Sequence, residues 1–308
     1  MSILVIGGTG LVGSHVVCGL LAKGEAVRVL TRSADKADVL PLGASGIIGD
    51  LRKPETLRLA MKGIDSVCLV TPLSPTETEE GVAVVTAASR AGIRHLVYLS
   101  VYHVEHAPYI PHFKSKMEIQ KVLRDSGMAF TLIMANNFFQ NDLVYRESIF
   151  NEGIYPQPIG DIGLNRVDVR DIADAMVATL TQTGHEFHCY PLIGMNVLTG
   201  QDVADIYSRS LGREIRYGGN DLNAWGRKAR HALPNSLVPE LKHMYEFFQR
   251  RGLRASEADF ALQSKVLGHL PRSFHTFVEE TVATWKRGWP REYATVLEHD
   301  ASTSRIFL

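Results

Sequence analysis

The first thirteen residues constrain the fold of this chain most strongly. Residues 3–6 are all apolar, which predicts a strand buried on both faces, and a glycine-rich stretch follows without a spacer. From residue 11 onward the apolar residues recur at helical spacing. A strand, a glycine turn and a helix predict a phosphate cradle, because glycine allows a sharp bend and close approach of the backbone to a pyrophosphate at the helix N-terminus. The predicted contacts are Gly7, Thr9, Gly10, Leu11, Val12 and Gly13.

The glycine spacing is Gly7-x-x-Gly10-x-x-Gly13 rather than the G-x-G-x-x-G of two-domain dehydrogenases. The alternative is a tight structural turn that binds no ligand. The position of the glycines between a strand and a helix favours the cradle.

Strands and helices then alternate for about a hundred residues. Apolar runs predict further strands at 26–30, 46–51, 66–70, 95–99 and 130–133, and helical patterns lie between most of them. Such alternation predicts right-handed crossovers and an α/β fold with a doubly wound parallel sheet.

The alternation loosens after residue 136, which predicts a second, smaller and mostly helical lobe that binds substrate. The predicted organisation is a nucleotide-binding domain over 1–155, to which 165–192 return, a smaller lobe over 193–288 and a tail over 289–308. The tail has no clear period and is interpreted as either docked or mobile.

Composition excludes several classes of protein. Lysine plus arginine and aspartate plus glutamate number 33 each, so no global field favours nucleic acid or a lipid surface. Cys18, Cys68 and Cys189 are far apart in apolar patterns, which predicts reduced core residues rather than disulfides or a zinc site. A chain that enters its first strand at once, without a membrane-length apolar run, is expected to be soluble and cytoplasmic.

The residues that follow the second strand choose between the two nicotinamide dinucleotides. An acidic residue there binds the ribose 2′-hydroxyl, whereas a basic one binds the 2′-phosphate. The chain has Arg32 there, with Ser33 beside it and Lys36 one turn later, which favours NADP(H) over NAD(H). The alternative is a solvated arginine at a strand end.

Ligands of parallel sheets bind beyond the carboxyl ends of the strands. Thr71, Pro72 and Ser100 are therefore expected over the cofactor, together with Asp50 and Leu51. Asp50 either contacts the adenine edge or caps the next helix. A further set of candidate cofactor or substrate contacts follows the sixth strand, namely Asn136, Asn137 and Phe138, for which the alternative is an irregular amide-rich turn.

Together, these motifs resemble the short-chain dehydrogenase/reductase superfamily and its NAD(P)-binding Rossmann fold. The segments 112–116, 128–131, 136–143 and 167–173 are similar to the atypical NmrA-like branch, and the resemblance covers about residues 1–215. It implies one of two functions. Some members are NADPH-dependent reductases of quinones or plant phenolic compounds, and others are NADP-binding, redox-responsive regulators.

The resemblance also implies a catalytic pair. The superfamily places a tyrosine one helical turn before a lysine that binds the nicotinamide ribose and lowers the pKa of the tyrosine. Lys116 matches the lysine, but His112 occupies the position of the tyrosine. Either His112 is the general acid, or it has no chemical role and Lys116 only positions the cofactor. Ser100 is expected to polarise a substrate carbonyl, and Tyr102 and Tyr109 are alternatives to the missing phenol.

No metal site is predicted, because His103, His106 and His112 fit no metal-binding template and only Glu105 lies near them. Four aromatic residues either line a pocket for a flat apolar substrate or pack the structure: Phe138, Phe139, Tyr155 and Trp225.

The sequence therefore predicts an NADP(H)-dependent reductase of a small carbonyl, quinone or enone. A silent cofactor-binding regulator is the alternative, and an epimerase is disfavoured by the absent tyrosine. The expected partner is a small, apolar or aromatic substrate, without nucleic acid or membrane, and the protein is expected to be a monomer or a homodimer.

Overall fold

Short apolar runs build the central sheet. In the computed structural model, which describes residues 1–230, 233–235 and 237–288, seven strands pair in parallel. Numbered along the whole chain, they are β1 Ser2–Ile6, β2 Ala26–Thr31, β3 Ala44–Ile48, β4 Ser66–Leu69, β5 His95–Val101, β6 Ala129–Ala135 and β8 His188–Leu192. Their spatial order is β3-β2-β1-β4-β5-β6-β8, and the sequence direction reverses between β1 and β4. The predicted doubly wound parallel sheet is confirmed.

Amphipathic and apolar helices connect these strands. They are α1 Leu11–Ala22, α2 Ala34–Asp38, α3 Pro54–Ala60, α4 Glu77–Arg90, α5 Pro111–Asp125 and α6 Val169–Thr181. The central strands β4 and β5 are buried along their whole length, as their near-continuous apolar sequences require. With most of the later helix α10, Glu257–Leu267, these elements form one compact unit of residues 1–135, 169–192 and 258–270.

Several element boundaries differ from the sequence-based ones in ways that matter for the site. The third strand ends at Ile48, so Asp50 follows it in a turn. The fifth strand continues to Val101, which places Ser100 inside the strand rather than after it. The fifth helix begins at Pro111, whose fixed φ suits the first helical position, so His112 lies in the first turn.

A second compact unit comprises the described residues of 136–168, 193–257 and 271–288. These described residues contain a small parallel pair, β7 Ile154–Tyr155 and β9 Arg216–Tyr217, and four α-helices. These are α7 Gly200–Leu211, α8 Leu222–Ala229, α9 Leu237–Arg251 and α11 Phe274–Arg287. The predicted helical C-terminal region is confirmed. Helix α7 has Thr199 as its N-cap, which forms a capping box with Asp202, and it ends at Gly212 in the left-handed conformation.

These units differ from the division predicted from the sequence. The structure groups 136–155 with the second unit and 258–270 with the first. The predicted boundaries therefore stay a proposal about domain organisation, and the predicted tail over 289–308 lies outside the described residues.

The four aromatic residues of uncertain role are buried in the second unit. The Phe139 ring lies 5.0 Å from that of Phe274, and the Trp225 ring lies 4.9 Å from that of Tyr245. Tyr155 stacks on Tyr207, and Phe138 is also buried. This arrangement favours the packing role of these side chains over the lining of a substrate pocket.

The cysteine prediction needs one correction. Cys68 is buried, and burial raises the pKa of its thiol to about 12, but Cys18 is exposed and Cys189 is half-buried. Cys18 lies on the outer face of α1, where a small side chain is tolerated without packing. All three thiols are free, in agreement with the absence of a disulfide framework.

Within the described residues, no helix combines the length and the apolar character that crossing a membrane requires.

Candidate functional site

The glycine turn between β1 and α1 is shaped by backbone contacts that only glycine permits. Gly7 has a φ of +80°, and a Cβ there would lie 2.4 Å from the carbonyl oxygen of Val70. A Cβ at Gly13 would lie 2.1 Å from the carbonyl oxygen of Gly7, so α1 passes directly over the turn. The amide of Gly10 donates to the same Gly7 oxygen at 2.9 Å and closes the turn.

The start of α1 is suited to an anion. Its N-cap, Gly10, is extended and has no side chain that could accept the first amide hydrogens. The helix runs for twelve residues from Leu11, so its dipole adds partial positive charge at this end. Thr9 and Leu11 are partly exposed and Val12 is buried. The site residues predicted here are thus brought together, and the turn fits a pyrophosphate.

The predicted selectivity residues lie at the same edge of the sheet. β2 pairs with β1 in parallel, with Leu30 opposite Ile6, so the strand ends carry Arg32 and the glycine turn side by side. Arg32 is exposed, and Lys36 is half-buried in α2. Ser33 is the N-cap of α2.

Asp50 orders the turn after β3. Its carboxylate accepts the Arg52 amide at 2.9 Å and faces the Arg52 guanidinium at 3.3 Å. The backbone bond, followed by the guanidinium, lowers the pKa of Asp50. Lys53, rather than Asp50, is the N-cap of α3, so the capping alternative is wrong. Leu51 is buried beside it, and a contact of either residue with adenine stays a prediction.

Lys116 lies in a closed triangle of polar groups. Its Nζ is 2.8 Å from Oε1 of Glu77 and 2.7 Å from Oγ1 of Thr71, and the Thr71 hydroxyl donates to the same Glu77 oxygen at 2.7 Å. All three residues are buried, with Glu77 only 1% exposed. Pro72, the other predicted residue of this loop, is exposed.

The surroundings of Lys116 favour its charged form. Burial alone lowers the pKa of a lysine, but the Glu77 carboxylate, with a smaller contribution from Tyr98, raises the pKa of Lys116 overall. The Tyr98 ring centroid lies 5.3 Å from Nζ. The structure therefore holds a buried ammonium at the position that sequence assigns to cofactor binding.

His112 and Lys116 lie one turn apart on the buried face of α5. His112 is 2% exposed, and its ring meets the edge of Phe113 at 4.7 Å between centroids. Ser100 is also buried, and its Oγ accepts a hydrogen bond from Gln120 at 2.6 Å. Lys114, two residues before Lys116, is exposed.

Neither Tyr102 nor Tyr109 lies one helical turn before Lys116, because both precede the start of α5 at Pro111. The Tyr102 hydroxyl donates to Asp259 at 2.7 Å, and burial, assisted by this carboxylate, raises the pKa of Tyr102. Tyr109 is 58% exposed. Both side chains are therefore poor candidates for the missing phenol.

The loop after β5 brings together His103, Glu105 and His106, for which the sequence predicts no metal site. His103 has a φ of +52°, which turns its ring onto that of His106, 4.4 Å away. Glu105 lies 2.9 Å from Nδ1 of His103 and 3.8 Å from Nε2 of His106. The group is exposed and does not include His112. The expectation of no metal stays a prediction.

Asn136, Asn137 and Phe138 belong to the second unit and have partners there. The Asn136 amide donates to the carbonyl of Leu253 at 2.9 Å, and Oδ1 of Asn137 accepts from Nε of Arg166 at 2.8 Å. The carbonyl oxygen of Phe138 accepts a hydrogen bond from the Arg166 guanidinium at 2.7 Å. The structure thus shows an amide-rich turn, and a contact with cofactor or substrate stays a prediction.

Arg166 and Asp142 form a buried ion pair at 2.8 Å that sequence reasoning missed. Both side chains are fully buried, and Tyr155 and Tyr207 also donate to the carboxylate. Burial raises the pKa of Asp142, and the Arg166 guanidinium opposes that effect. No sequence motif could have linked residues 24 positions apart in an irregular stretch.

The contact of Glu77 with Lys116 was also missed by sequence reasoning. The sequence gives only a weak indication of it, namely an acidic residue in the first turn of the helix that follows Thr71.

Replacing Arg166 with methionine is expected to destabilise the protein by about 3–5 kcal/mol, because it leaves Asp142 buried without its counter-ion. Adding Asp142→Asn should recover a large part of the loss. Urea unfolding measures both effects. Arg250→Met is the matched control, since the Arg250–Glu246 pair is exposed and should change the free energy of unfolding by less than about 1 kcal/mol. If Arg166→Met also lowered the free energy of unfolding by less than about 1 kcal/mol, the buried pair would not stabilise this unit.

Known proteins share both the sequence and the fold of this chain. An NAD(P)H azoreductase of Xenophilus azovorans is 37% identical over 247 residues, which cover 79% of this chain and 86% of that protein. A (4-alkanoyl-5-oxo-2,5-dihydrofuran-3-yl)methyl phosphate reductase of Streptomyces griseus is 35% identical over 82% of this chain and 89% of its own length.

Among solved structures, an NADPH-dependent quinone oxidoreductase of Escherichia coli, complexed with NADPH, superimposes with a TM-score of 0.83 at 23% identity. The match covers 91% of this chain and 99% of that one, and it supports the Rossmann-like fold. The model of the NmrA-like family matches residues 1–283. The chain therefore belongs to the NmrA-like family.

Proposed function

We propose that the protein is an NADP(H)-dependent reductase of a small carbonyl, quinone or enone substrate. The observation that carries this proposal is the buried ammonium of Lys116, which lies one helical turn from His112 on α5. Helix α5 belongs to the same unit as the glycine turn. The two relatives described above are both named as reductases, which supports the same reaction class.

The residues of the first unit fit the cofactor in three places. The glycine turn and the start of α1 would bind the pyrophosphate, Arg32 and Lys36 the 2′-phosphate, and Lys116 the nicotinamide ribose. When bound, NADPH supplies the hydride. The protein then has to orient the substrate carbonyl and deliver a proton.

His112 is the proposed proton donor. An imidazolium can donate a proton to the oxygen that becomes negative as hydride arrives. Lys116 is less suited to this step, because Glu77 raises its pKa and stabilises the protonated form. Ser100 accepts a hydrogen bond from Gln120, and its hydroxyl can still donate its own hydrogen, here to the substrate oxygen.

The regulator alternative is not favoured, because the two relatives described above are both named for the reductions that they catalyse. The proposed substrate is small and apolar or aromatic, the proposed location is the cytoplasm, and the proposed oligomeric state is a monomer or a homodimer.

Oxidation of NADPH, followed at 340 nm, tests the function directly. We expect turnover with at least one class in a panel of quinones, enones, aldehydes and an azo dye, after NADPH binding has been established by fluorescence. Binding without turnover on the whole panel would contradict the reductase. Absence of NADPH binding would contradict the cradle itself.

His112→Ala should lower kcat by about a hundredfold or more, the usual contribution of a general acid, while the Kd for NADPH stays within a few-fold. Stopped-flow rates and fluorescence titration measure the two effects separately. Tyr109→Phe, which removes the exposed alternative phenol, should leave kcat unchanged. Unchanged turnover in His112→Ala would remove His112 from the mechanism.

Arg32→Asp should raise KM for NADPH by about tenfold or more and leave KM for NADH nearly unchanged, because only NADPH carries the 2′-phosphate. Initial rates with both cofactors give the ratio. Lys62→Asp makes the same charge change at an exposed position and should not alter selectivity. An equal loss with both cofactors would show that Arg32 does not bind the 2′-phosphate.

A further inference from the structure

We propose that Glu77 is a positioning residue of this site, which holds the Lys116 ammonium in place and keeps it protonated. The inference rests on the proposed reductase function and deepens it, because it identifies the group that controls the lysine. Glu77 itself is not proposed to contact the substrate.

The hydrogen bonds of Lys116 show how it is held. An ammonium has three N–H donors. Two are short, to Glu77 at 2.8 Å and to Thr71 at 2.7 Å, and the third reaches the carbonyl of Leu99 at 3.4 Å. The two short bonds fix the position of Nζ. The long bond is the weakest and can be exchanged for an acceptor on a ligand, so the lysine can bind without losing its anchor.

Glu77 is placed for this role by its own helix. It lies in the first turn of α4, where the helix dipole stabilises a carboxylate. The Thr71 hydroxyl donates to the same oxygen that contacts the ammonium, which orients the carboxylate. A surface ion pair would be exposed to water and salt, whereas this carboxylate is 1% exposed.

The charge balance around Lys116 depends on this one carboxylate. The groups that face the ammonium are Glu77 from α4, the Tyr98 phenol from β5 and the neutral Thr71 hydroxyl. A neutral amide at position 77 would keep the shape but leave a buried cation without a counter-ion. Desolvation would then dominate and lower the pKa of Lys116, so the lysine would lose its proton within the working pH range.

The test compares Glu77→Gln with Glu79→Gln, which removes the same charge from an exposed position two residues along the same helix. Acetylation of Lys116 by acetic anhydride, read by mass spectrometry across pH in the protein without nucleotide, reports the titration of this amine alone. In parallel, the Kd for NADPH is measured by fluorescence at low and high pH.

We expect the half-maximal reactivity of Lys116 to lie at higher pH than that of an ordinary lysine in the wild type and in Glu79→Gln, and at clearly lower pH in Glu77→Gln. The Kd of Glu77→Gln for NADPH should be within about threefold of the wild type near pH 6 and about tenfold weaker near pH 9. Glu77→Asp, which restores the charge, should recover much of the shift. A merely structural role would weaken binding equally at both pH values.

Equal titration of Lys116 in Glu77→Gln and the wild type would overturn the inference. If Glu77→Gln does not fold, the wild type still decides, because a Lys116 midpoint below about pH 9 would contradict a lysine held charged by Glu77. The two proposals can fail separately. A wild type that reduces no acceptor would contradict the reductase, whereas the reactivity of Lys116 would still show whether Glu77 controls it.

Discussion

The close contact between Gly13 and Gly7 is the constraint on which the proposed cofactor site depends. The first helix crosses the turn so closely that a single added carbon at Gly13 would lie 2.1 Å from the Gly7 carbonyl oxygen. This contact brings the start of α1 to the carboxyl end of β1, beside the ends of β2 and β4. The other predicted binding groups of the first unit, from Arg32 to Thr71, follow from the parallel order of the strands. Packing thus fixes the helix N-terminus at the place where the proposed function needs an anion-binding group.

The two buried ion pairs described above, one in each unit, have different chemistry. Arg166 in the second unit donates to Asp142, to Asn137 and to backbone carbonyls, and its planar guanidinium fixes an irregular segment in one conformation. Lys116 in the first unit has a compact ammonium with one weak bond among its three. An arginine with this many partners is suited to structure, whereas a lysine with an exchangeable bond is suited to binding. Burial of charge alone would not have distinguished the two roles.

Local patterns predicted most of the fold. The apolar runs of the strands and the glycine turn depend on neighbours in sequence and were predicted from it. Groups that meet only in three dimensions were not found. Glu77 meets Lys116 across 38 intervening positions because α4 and α5 follow the adjacent strands β4 and β5, and Arg166 meets Asp142 through irregular backbone. The exposed Cys18 shows a related limit, since a helical pattern gives a buried face but does not exclude a small residue at its edge.

The Glu77–Lys116 pair also gives a physical reason for a histidine at position 112. A lysine activates a neighbouring tyrosine through its positive field, which lowers the pKa of the phenol. Here a carboxylate 2.8 Å from the ammonium cancels much of that field beyond the pair. A tyrosine at position 112 would therefore gain little and would keep its proton at neutral pH. An imidazole can act as a general acid without activation by a neighbouring lysine. Under the proposed function, Glu77 and His112 thus belong together: the carboxylate reserves the lysine for binding, and the imidazole moves the proton.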